Sequence, residues 1–359
     1  MTPIMAADPA PAATRDRITL RRPDDWHIHL RDGAMMRAVL PYTAAQFARG
    51  IIMPNLVPPV TTVAAASAYR ERILAALPAG MSFAPMMTCY LTDATSADEI
   101  ERGFSEKVWI AAKLYPAGAT TNSHAGVTDL ANIAPVLERM ERIGLPLLIH
   151  GEVTDQEVDI FDREAVFMEQ KLLPLLTRHQ GLKVTVEHAT TAEILDVVRA
   201  HAERVAATIT PHHLVINRTH LFQGGLRPHL YCLPVAKRER HRLALRKAAT
   251  SGEDCFFLGT DTAPHPVGAK ESACGCAGVF CGPTALQTYV QVFDEEGALE
   301  RFEAFASLNG ARFHGLDPNE GTITLERQGG QVAPCVEVDD TSVVVFRGDE
   351  TLPWVIAEH

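Results

Sequence analysis

The sequence lacks the marks of several protein classes. Its 359 residues include only seven cysteines, an odd number spread through the chain, which argues against the disulfide framework of a small secreted domain. No stretch approaches the roughly 18 uninterrupted apolar residues of a membrane helix. Residues 1–16 lack the basic start and apolar run of a secretory signal. We therefore expect a cytoplasmic protein that does not enter membranes, with residues 1–16 as a disordered tail.

The chain also has fewer basic than acidic residues. The chain has 33 Lys and Arg against 44 Asp and Glu, a formal net charge of -11. A protein whose partner is nucleic acid or an anionic membrane needs a basic face, so neither partner is expected. The hydrophobic fraction of 47% is that of a globular chain able to bury a large core. The expected partner is a small molecule.

Short apolar, β-rich segments alternate with amphipathic, helix-like segments, which favours an α/β fold. Two of the helices are expected at 63–77 and 129–143, the second with Thr128 as its N-cap and Gly144 at its end. Eight such β/α units predict a (β/α)8 TIM barrel. The strand candidates are ITLRRPDDWHIHL, GIIMPN, SFAPMMTCYL, WIAAKLY, PLLIHG, KVTVEHA, VAATITPHH and CFFLGTD.

Most of these candidates end in a polar side chain that could bind a metal or a substrate. Because the active site of a TIM barrel forms at the carboxyl ends of its strands, side chains distant in sequence should meet in one polar mouth. The residues concerned are His27, His29, Asn55, Lys113, His150, His188 and Asp261.

His27 and His29 are two residues apart on a strand, so both imidazoles point to one face and could share a metal. Such a pair alone is more often the chance product of a polar strand end. His150, His188 and Asp261 each follow an apolar strand too, and each alone is more often a satisfied polar residue. Taken together, four imidazoles and a carboxylate suit zinc.

Lys113 lies inside the apolar run WIAAKLY. Taken alone, it would form a salt bridge with an acid. Beside two dications, however, the pKa of its amine should fall from about 10.4. The neutral amine could then add carbon dioxide and become a carbamate, whose two oxygens can bridge two metals.

The chain resembles the amidohydrolase superfamily, in particular the shorter bacterial dihydroorotases. The resemblance runs from about residue 21 to about residue 315. Such a series of motifs is far more specific than any single one. It rests on RRPDDWHIHLRDG, MPNLVPPVTT, MTCYLTD, AAKLYPAGATTN, PLLIHGEVT, FDREA, TPHHL, RPHLYCLP, LGTDTAPH and ESACGCAG.

The resemblance implies a binuclear zinc centre with two zinc ions per subunit. His27, His29 and Asp261 would bind the more buried ion, His150 and His188 the more exposed one, and Lys113, as N6-carboxylysine formed with carbon dioxide, would bridge them. A bridging hydroxide would attack the ring amide, with Asp261 as general acid and base. The implied reaction is the reversible cyclisation of N-carbamoyl-L-aspartate to L-dihydroorotate in pyrimidine synthesis.

The resemblance also implies how the substrate carboxylate is recognised. It assigns this role to Arg31, Asn55 and His265, with backbone contacts near Leu233 and Ala277. Taken alone, Arg31 could instead pair with Asp32 or Asp25, and Asn55 could be a turn residue. The segment PAGATTNSHAG resembles the family's active-site flap, in which Thr120 and Thr121 would contact substrate. His124 has no assigned role.

Several alternatives remain open. Cys274, Cys276 and Cys281 could hold a metal, although a closed thiolate site normally needs four ligands in recognisable pairs. His212 and His213 are also possible ligands, but structural roles are favoured for them. The function could be that of another binuclear cyclic amidohydrolase, such as a hydantoinase or allantoinase, of a mononuclear deaminase, or of a non-enzymatic scaffold. Arg31 with Asn55 argues against the first alternative, and Lys113 argues against the second.

The expected domain organisation is one barrel at 17–315 with an appended C-terminal segment at 316–359. That segment should form short strands and turns over the barrel, whereas the N-terminal arm is too short to contribute much. The resemblance further implies a homodimer.

Overall fold

The computed structural model describes residues 15–357. In that range the strands are β1 (Arg17–Arg21), β2 (Asp24–Ile28), β3 (Arg49–Ile52), β4 (Ala84–Tyr90), β5 (Trp109–Leu114), β6 (Leu147–Ile149), β7 (Val184–Val186), β8 (Val205–Ile209), β9 (Phe256–Leu258), β10 (Thr322–Glu326), β11 (Gly330–Gln331), β12 (Cys335–Val338), β13 (Thr341–Val344), β14 (Thr351–Leu352) and β15 (Val355–Ile356). The α-helices are α1 (Gly33–Gln46), α2 (Val63–Ala75), α3 (Ala97–Ser105), α4 (Ala134–Ile143), α5 (Arg163–Phe167), α6 (Leu173–Arg178), α7 (Ala192–Ala200), α8 (Pro211–Val215), α9 (Glu239–Ala249), α10 (Val267–Lys270), α11 (Ala285–Glu295) and α12 (Asn309–His314).

Strands β2 to β9 form one eight-stranded parallel sheet in sequence order. The sheet curves until its last and first strands meet, where the amide of Asp261 donates to the carbonyl of His27 at 2.9 Å and that of His29 to Thr262 at 3.1 Å. A helix-containing connection follows each strand, as parallel pairing requires. The predicted TIM barrel is confirmed.

The first predicted strand, ITLRRPDDWHIHL, is in fact two strands. Pro23 has no amide proton for a sheet hydrogen bond and separates β1 from β2. Strand β1 pairs antiparallel with β10, from Arg17 opposite Glu326 to Arg21 opposite Thr322. The expectation that the N-terminal arm contributes little is therefore wrong for the described residues, because β1, β10 and β15 form a three-stranded sheet outside the barrel.

Two predicted helix boundaries also need correction. Helix α2 ends at Ala75 instead of residue 77. The predicted helix at 129–143 begins as a 3-10 turn at Leu130–Ile133, continued by α4. Its cap is Asp129, whose carboxylate accepts from the amide of Ala131. Thr128, the predicted cap, instead donates its hydroxyl proton to Asp93 at 2.5 Å. The predicted end at Gly144 is confirmed, with φ of 75°.

The lower part of the barrel interior is filled by Trp26, which is 1% exposed. Its ring meets Phe257 edge-on at 6.0 Å and stacks on His314 at 4.6 Å. Helix α12 lies directly against the indole at Gly310, where a Cβ atom would be 2.1 Å from Trp26 Nε1. This end of the barrel is therefore a packed core, and the polar residues lie at the other end.

Within residues 15–357, no helix is long and apolar enough to cross a membrane. All seven cysteines are free, with Cys89, Cys232, Cys255 and Cys281 buried. Residues 1–14, most of the predicted disordered tail, lie outside the described range.

We predict that Gly310→Ala destabilises the protein by about 2 kcal/mol, because the added methyl group overpacks a buried indole that has no room to shift. Helix propensity alone would stabilise the variant by about 1 kcal/mol. The sign of the change in the free energy of unfolding therefore separates overpacking from helix propensity. The measurement is chemical unfolding. Gly268→Ala, where a Cβ atom meets nothing within 4 Å, is the matched control. Equal stability of the two variants would contradict this packing argument.

Candidate metal centre and substrate cavity

Three of the predicted ligands converge where the barrel closes. His27 Nε2 lies 3.2 Å from His29 Nε2, and each nitrogen lies 3.2 Å from Oδ1 of Asp261. Two donors bound to one zinc at about 2.1 Å would be separated by about 3 to 3.5 Å. Burial alone would raise the pKa of Asp261, but His27 and His29 lower it well below its usual range. The arrangement fits a cation between these side chains.

His150 and His188 lie beside this group. Their ring centroids are 4.8 Å apart, and the ring of His188 is 5.1 Å from that of His27. Nδ1 of His188 is buried and has no hydrogen-bond partner in the described chain. Burial lowers the pKa of all four imidazoles, that of His29 to about 3. Neutral imidazoles are the form that binds metals.

Lys113 is fully buried below these histidines. Its ammonium contacts the carboxylate of Glu187, and Oε1 of Glu187 lies 2.9 Å from Nδ1 of His27. The salt bridge expected for Lys113 taken alone is therefore present. Burial lowers the pKa of Lys113 well below its usual range, towards the neutral amine that carbon dioxide needs, whereas the contact with Glu187 favours the charged ammonium. Glu187 was not among the predicted site residues, although a carboxylate directly before His188 at the end of an apolar strand is a detectable signal.

Two polar side chains orient the histidines. Nε2 of His150 lies 2.8 Å from Oε2 of buried Glu152, and Nδ1 of His29 lies 2.8 Å from Oδ1 of Asn55. Such partners fix which imidazole nitrogen remains available to a metal. Glu152 was missed, although it follows His150 by two residues. Asn55 was predicted to contact substrate, and it also holds a histidine.

Arg31 lies beside the cluster with its guanidinium directed to His265. Its Nη2 is 2.9 Å from Nε2 of His265, and its Nε donates to the carbonyl of Pro264 at 3.1 Å. Nε2 of His265 is also 3.0 Å from the carbonyl oxygen of Ala277. Burial, with the charge of Arg31, lowers the pKa of His265 to about 2, so His265 is neutral. Arg31 does not pair with Asp32, whose partner is Arg72.

The predicted flap lies over the cluster. The hydroxyl of Thr121 donates to the carbonyl of Ala277 at 3.1 Å, and Nδ2 of Asn55 donates to the carbonyl of Thr121 at 3.1 Å. Ser123 closes the turn by accepting from the amide of Thr120 at 2.8 Å. The flap therefore contacts both sides of the cavity.

One cavity unites these groups, with a volume of about 330 Å³ including its opening to solvent. Lys113 and His265 contact residues that line the cavity but do not line it themselves. Tyr115 and Cys232 line it but were not predicted. The predicted residues that line it are His27, His29, Arg31, Asn55, Thr120, Thr121, His150, His188, Leu233, Asp261 and Ala277.

His212 and His213, two other candidate ligands, do not join this site. With Cys232, which also lines the cavity, they form a second buried group. The ring of His213, however, is engaged by the hydroxyl of Thr210 at 2.8 Å and the carbonyl of Pro234 at 3.0 Å, which favours a structural role. The three cysteines of the 274–281 loop do not converge on one point within the described residues. Cys274 is exposed, whereas the thiol of Cys281 donates to a carbonyl in the barrel at 3.3 Å.

The family model that matches this chain is that of the amidohydrolase family, over residues 25–328. This match, with a parallel barrel and a mouth of histidines and an aspartate, defines the class of protein: the chain belongs to the amidohydrolase family.

Similar proteins narrow the class. A dihydroorotase of Synechococcus sp. (strain RCC307) is 61% identical over 350 residues, which are 98% of this chain and 99% of the relative. The dihydroorotase of Campylobacter jejuni has a crystal structure that matches with a TM-score of 0.88 at 34% identity, covering 96% of this chain and 98% of that chain. The crystal structure of the Saccharomyces cerevisiae dihydroorotase in complex with 5-fluoroorotic acid matches with a TM-score of 0.89 at 31% identity. The match covers 96% of this chain and 99% of that chain. Within the amidohydrolases, the chain groups with the dihydroorotases.

The barrel seam depends on Asp25, which is 0% exposed. Its carboxylate accepts from the amide of Thr260 at 2.8 Å, from the hydroxyl of Thr260 at 2.5 Å and from the amide of His27 at 3.2 Å. We predict that Asp25→Ala lowers the free energy of unfolding by about 3 kcal/mol, because it leaves buried donors unpaired. Urea unfolding measures the loss.

Asp93→Ala is the matched control. Asp93 also accepts from one amide and one hydroxyl, both of Thr128, but it is exposed, so water can replace it. We expect a cost below about 1 kcal/mol. If this variant loses as much stability as Asp25→Ala, burial of the acceptor is not what matters.

Proposed function

We propose that this chain is a dihydroorotase that interconverts N-carbamoyl-L-aspartate and L-dihydroorotate in pyrimidine synthesis. One observation carries the proposal: a histidine and aspartate cluster and an arginine site for a carboxylate face the same small cavity. The cluster suits hydrolysis of a cyclic amide. Arg31 suits the carboxylate that remains on the ring after closure.

The donor set would hold two zinc ions. His27, His29 and Asp261 would bind one, His150 and His188 the other, and Lys113, as its carbamate with carbon dioxide, both. Bound zinc supplies an ionised water at neutral pH and polarises the amide carbonyl. Three features support this assignment: the spacing of the donors, their neutral imidazoles, and an amine of lowered pKa directly below them.

In the ring-opening direction, water adds to the ring amide carbon and the bond from that carbon to the ring nitrogen breaks. Asp261 takes the proton released by the attacking water and passes it to the departing nitrogen, and ring closure reverses these steps. Its low pKa keeps the carboxylate ionised, which is the form that can take up a proton. Arg31, Asn55 and His265 hold the substrate carboxylate, with backbone groups at Leu233 and Ala277.

Thr120 and Thr121 would close over the substrate. Both line the cavity, and the hydroxyl of Thr121 already donates to the carbonyl of Ala277. Substrate could replace that carbonyl as the acceptor. A closed flap would exclude bulk water from the reacting amide.

The competing functions use the same residues differently. A hydantoinase or allantoinase would share the cluster but has no need of Arg31 as a carboxylate ligand. A non-enzymatic scaffold would be free to lose ligands, whereas all six positions carry competent side chains. A cytoplasmic location, a homodimer, and a division into a barrel at 17–315 and an appended segment at 316–359 remain predictions.

The test of the function is the ultraviolet loss of dihydroorotate on mixing with zinc-loaded protein, with hydantoin and allantoin in parallel. We expect Lys113→Ala to reduce activity at least about 1,000-fold and to lower bound zinc, because it removes the shared ligand. Metal analysis provides a readout independent of activity. Lys183→Ala, an exposed lysine, is the control. Consumption of hydantoin instead of dihydroorotate would identify a different substrate. Consumption of none of the three compounds would favour the non-enzymatic scaffold.

We predict that the double variant Thr120→Ala, Thr121→Ala lowers kcat/KM for dihydroorotate about tenfold, because two substrate hydrogen bonds are removed while the ligands remain. Steady-state kinetics at fixed zinc measure it. Thr128→Ala, outside the flap, controls for loss of a threonine hydroxyl. Unchanged kcat and KM in the double variant would refute the role of the flap.

A further inference from the structure

Lys270 is a buried lysine without an acidic partner. It ends helix α10 and is 3% exposed. Its ammonium donates three hydrogen bonds of 2.7 Å, to the carbonyls of Tyr231, Cys276 and Gly278. These use all three of its protons. No carboxylate of residues 15–357 forms an ion pair with it.

An unpaired buried cation is costly unless something else compensates it. Burial lowers the pKa of Lys270 to about 8, which reflects this cost. The ring of Tyr231 lies 5.7 Å from the ammonium and offsets only a little of it. A buried positive charge whose hydrogen-bond acceptors are all neutral carbonyls would be stabilised by an anion bound nearby.

The three carbonyls surround the backbone that the proposed function assigns to the substrate carboxylate. Cys276 and Gly278 flank Ala277 on either side, and Tyr231 lies two residues before Leu233. The amide of Gly278 donates to the carbonyl of Tyr231 at 3.0 Å, which joins the two segments. Lys270 therefore fastens both backbone segments at one point.

The same segments connect to Arg31. The carbonyl of Ala277 contacts His265, which contacts the guanidinium of Arg31. Thr121 of the flap donates to that carbonyl as well. Any shift of residues 276–278 would therefore displace the arginine, its histidine partner and the flap together.

We propose that Lys270 is a positioning residue for carboxylate recognition: it fixes the backbone at Leu233 and Ala277 and adds a positive charge behind the carboxylate subsite. This inference rests on the proposed function and deepens it. Lys270 does not touch the reacting atoms, so its removal should weaken the binding of anionic substrate while leaving the bond-breaking step largely intact.

The test is Lys270→Met, which keeps the length of the side chain and removes its charge and donors. We expect KM for dihydroorotate to rise at least about tenfold, with kcat within about threefold of wild type and bound zinc unchanged. The dissociation constant of 5-fluoroorotate, which carries the carboxylate, should rise by the same factor. Lys247→Met, an exposed lysine on α9, is the matched control and should change neither quantity.

A structural role alone would lower kcat, zinc content and thermal stability together, without a selective change in KM. That result, or a KM within twofold of wild type, overturns the inference. If Lys270→Met does not fold, Lys270→Arg carries the test. It keeps the charge, but a planar guanidinium cannot reproduce three converging bonds, so KM should rise severalfold with kcat retained. An unchanged KM in that variant also overturns the inference. Failure of the proposed function is a separate result, namely wild-type protein without activity on dihydroorotate.

Discussion

The seam between the first and last barrel strands is the constraint on which the rest of the site depends. His27 and Asp261 are more than two hundred residues apart, yet the amide of Asp261 bonds the carbonyl of His27. That bond fixes the two backbones, and the side chains then converge to 3.2 Å. Asp25 ties the same strands from the other side through Thr260. Ligand geometry is thus a consequence of barrel closure.

The site also contains strained backbone that the surrounding structure must maintain. Arg31, His188 and Asp261 have φ values of 61°, 44° and 47°, in the left-handed region that costs a non-glycine residue about 1 to 2 kcal/mol. Each follows or ends a strand whose hydrogen bonds determine its direction. The turn aims each side chain across the mouth of the barrel instead of along the strand. The rigid barrel is what holds these conformations.

The barrel, and the meeting of the polar strand-end residues at its mouth, could be predicted because strands impose simple rules. A parallel strand buried on both faces reads as an apolar run, and the polar residue that ends it marks the mouth of the barrel. What escaped prediction depended on contacts between distant segments. The sequence around Pro23 does not indicate that β1 pairs with β10. Thr128 and Asp129 are both suitable residues to cap the helical segment that begins at Leu130, and the sequence does not distinguish them. The position of Glu187 directly before His188 was a detectable signal, but its role becomes clear only once Lys113 and His27 lie beside it.

Glu187 adds a carboxylate to the charge balance of the proposed metal centre. Two zinc ions, if bound as proposed, would outweigh the charges of Asp261, a carbamate and a hydroxide, and the metal centre itself would then attract an anion. A carboxylate at Glu187, whose Oε1 lies 2.9 Å from Nδ1 of His27, would reduce that surplus. Attraction of the substrate carboxylate then falls to cations outside the metal centre. Arg31 is partly buried and Lys270 is buried, both beside the cavity, and neither forms an ion pair with a carboxylate of the described chain. Positive charge remaining at the metals would favour ionisation of bound water, while Arg31 and Lys270 would attract and orient the substrate carboxylate.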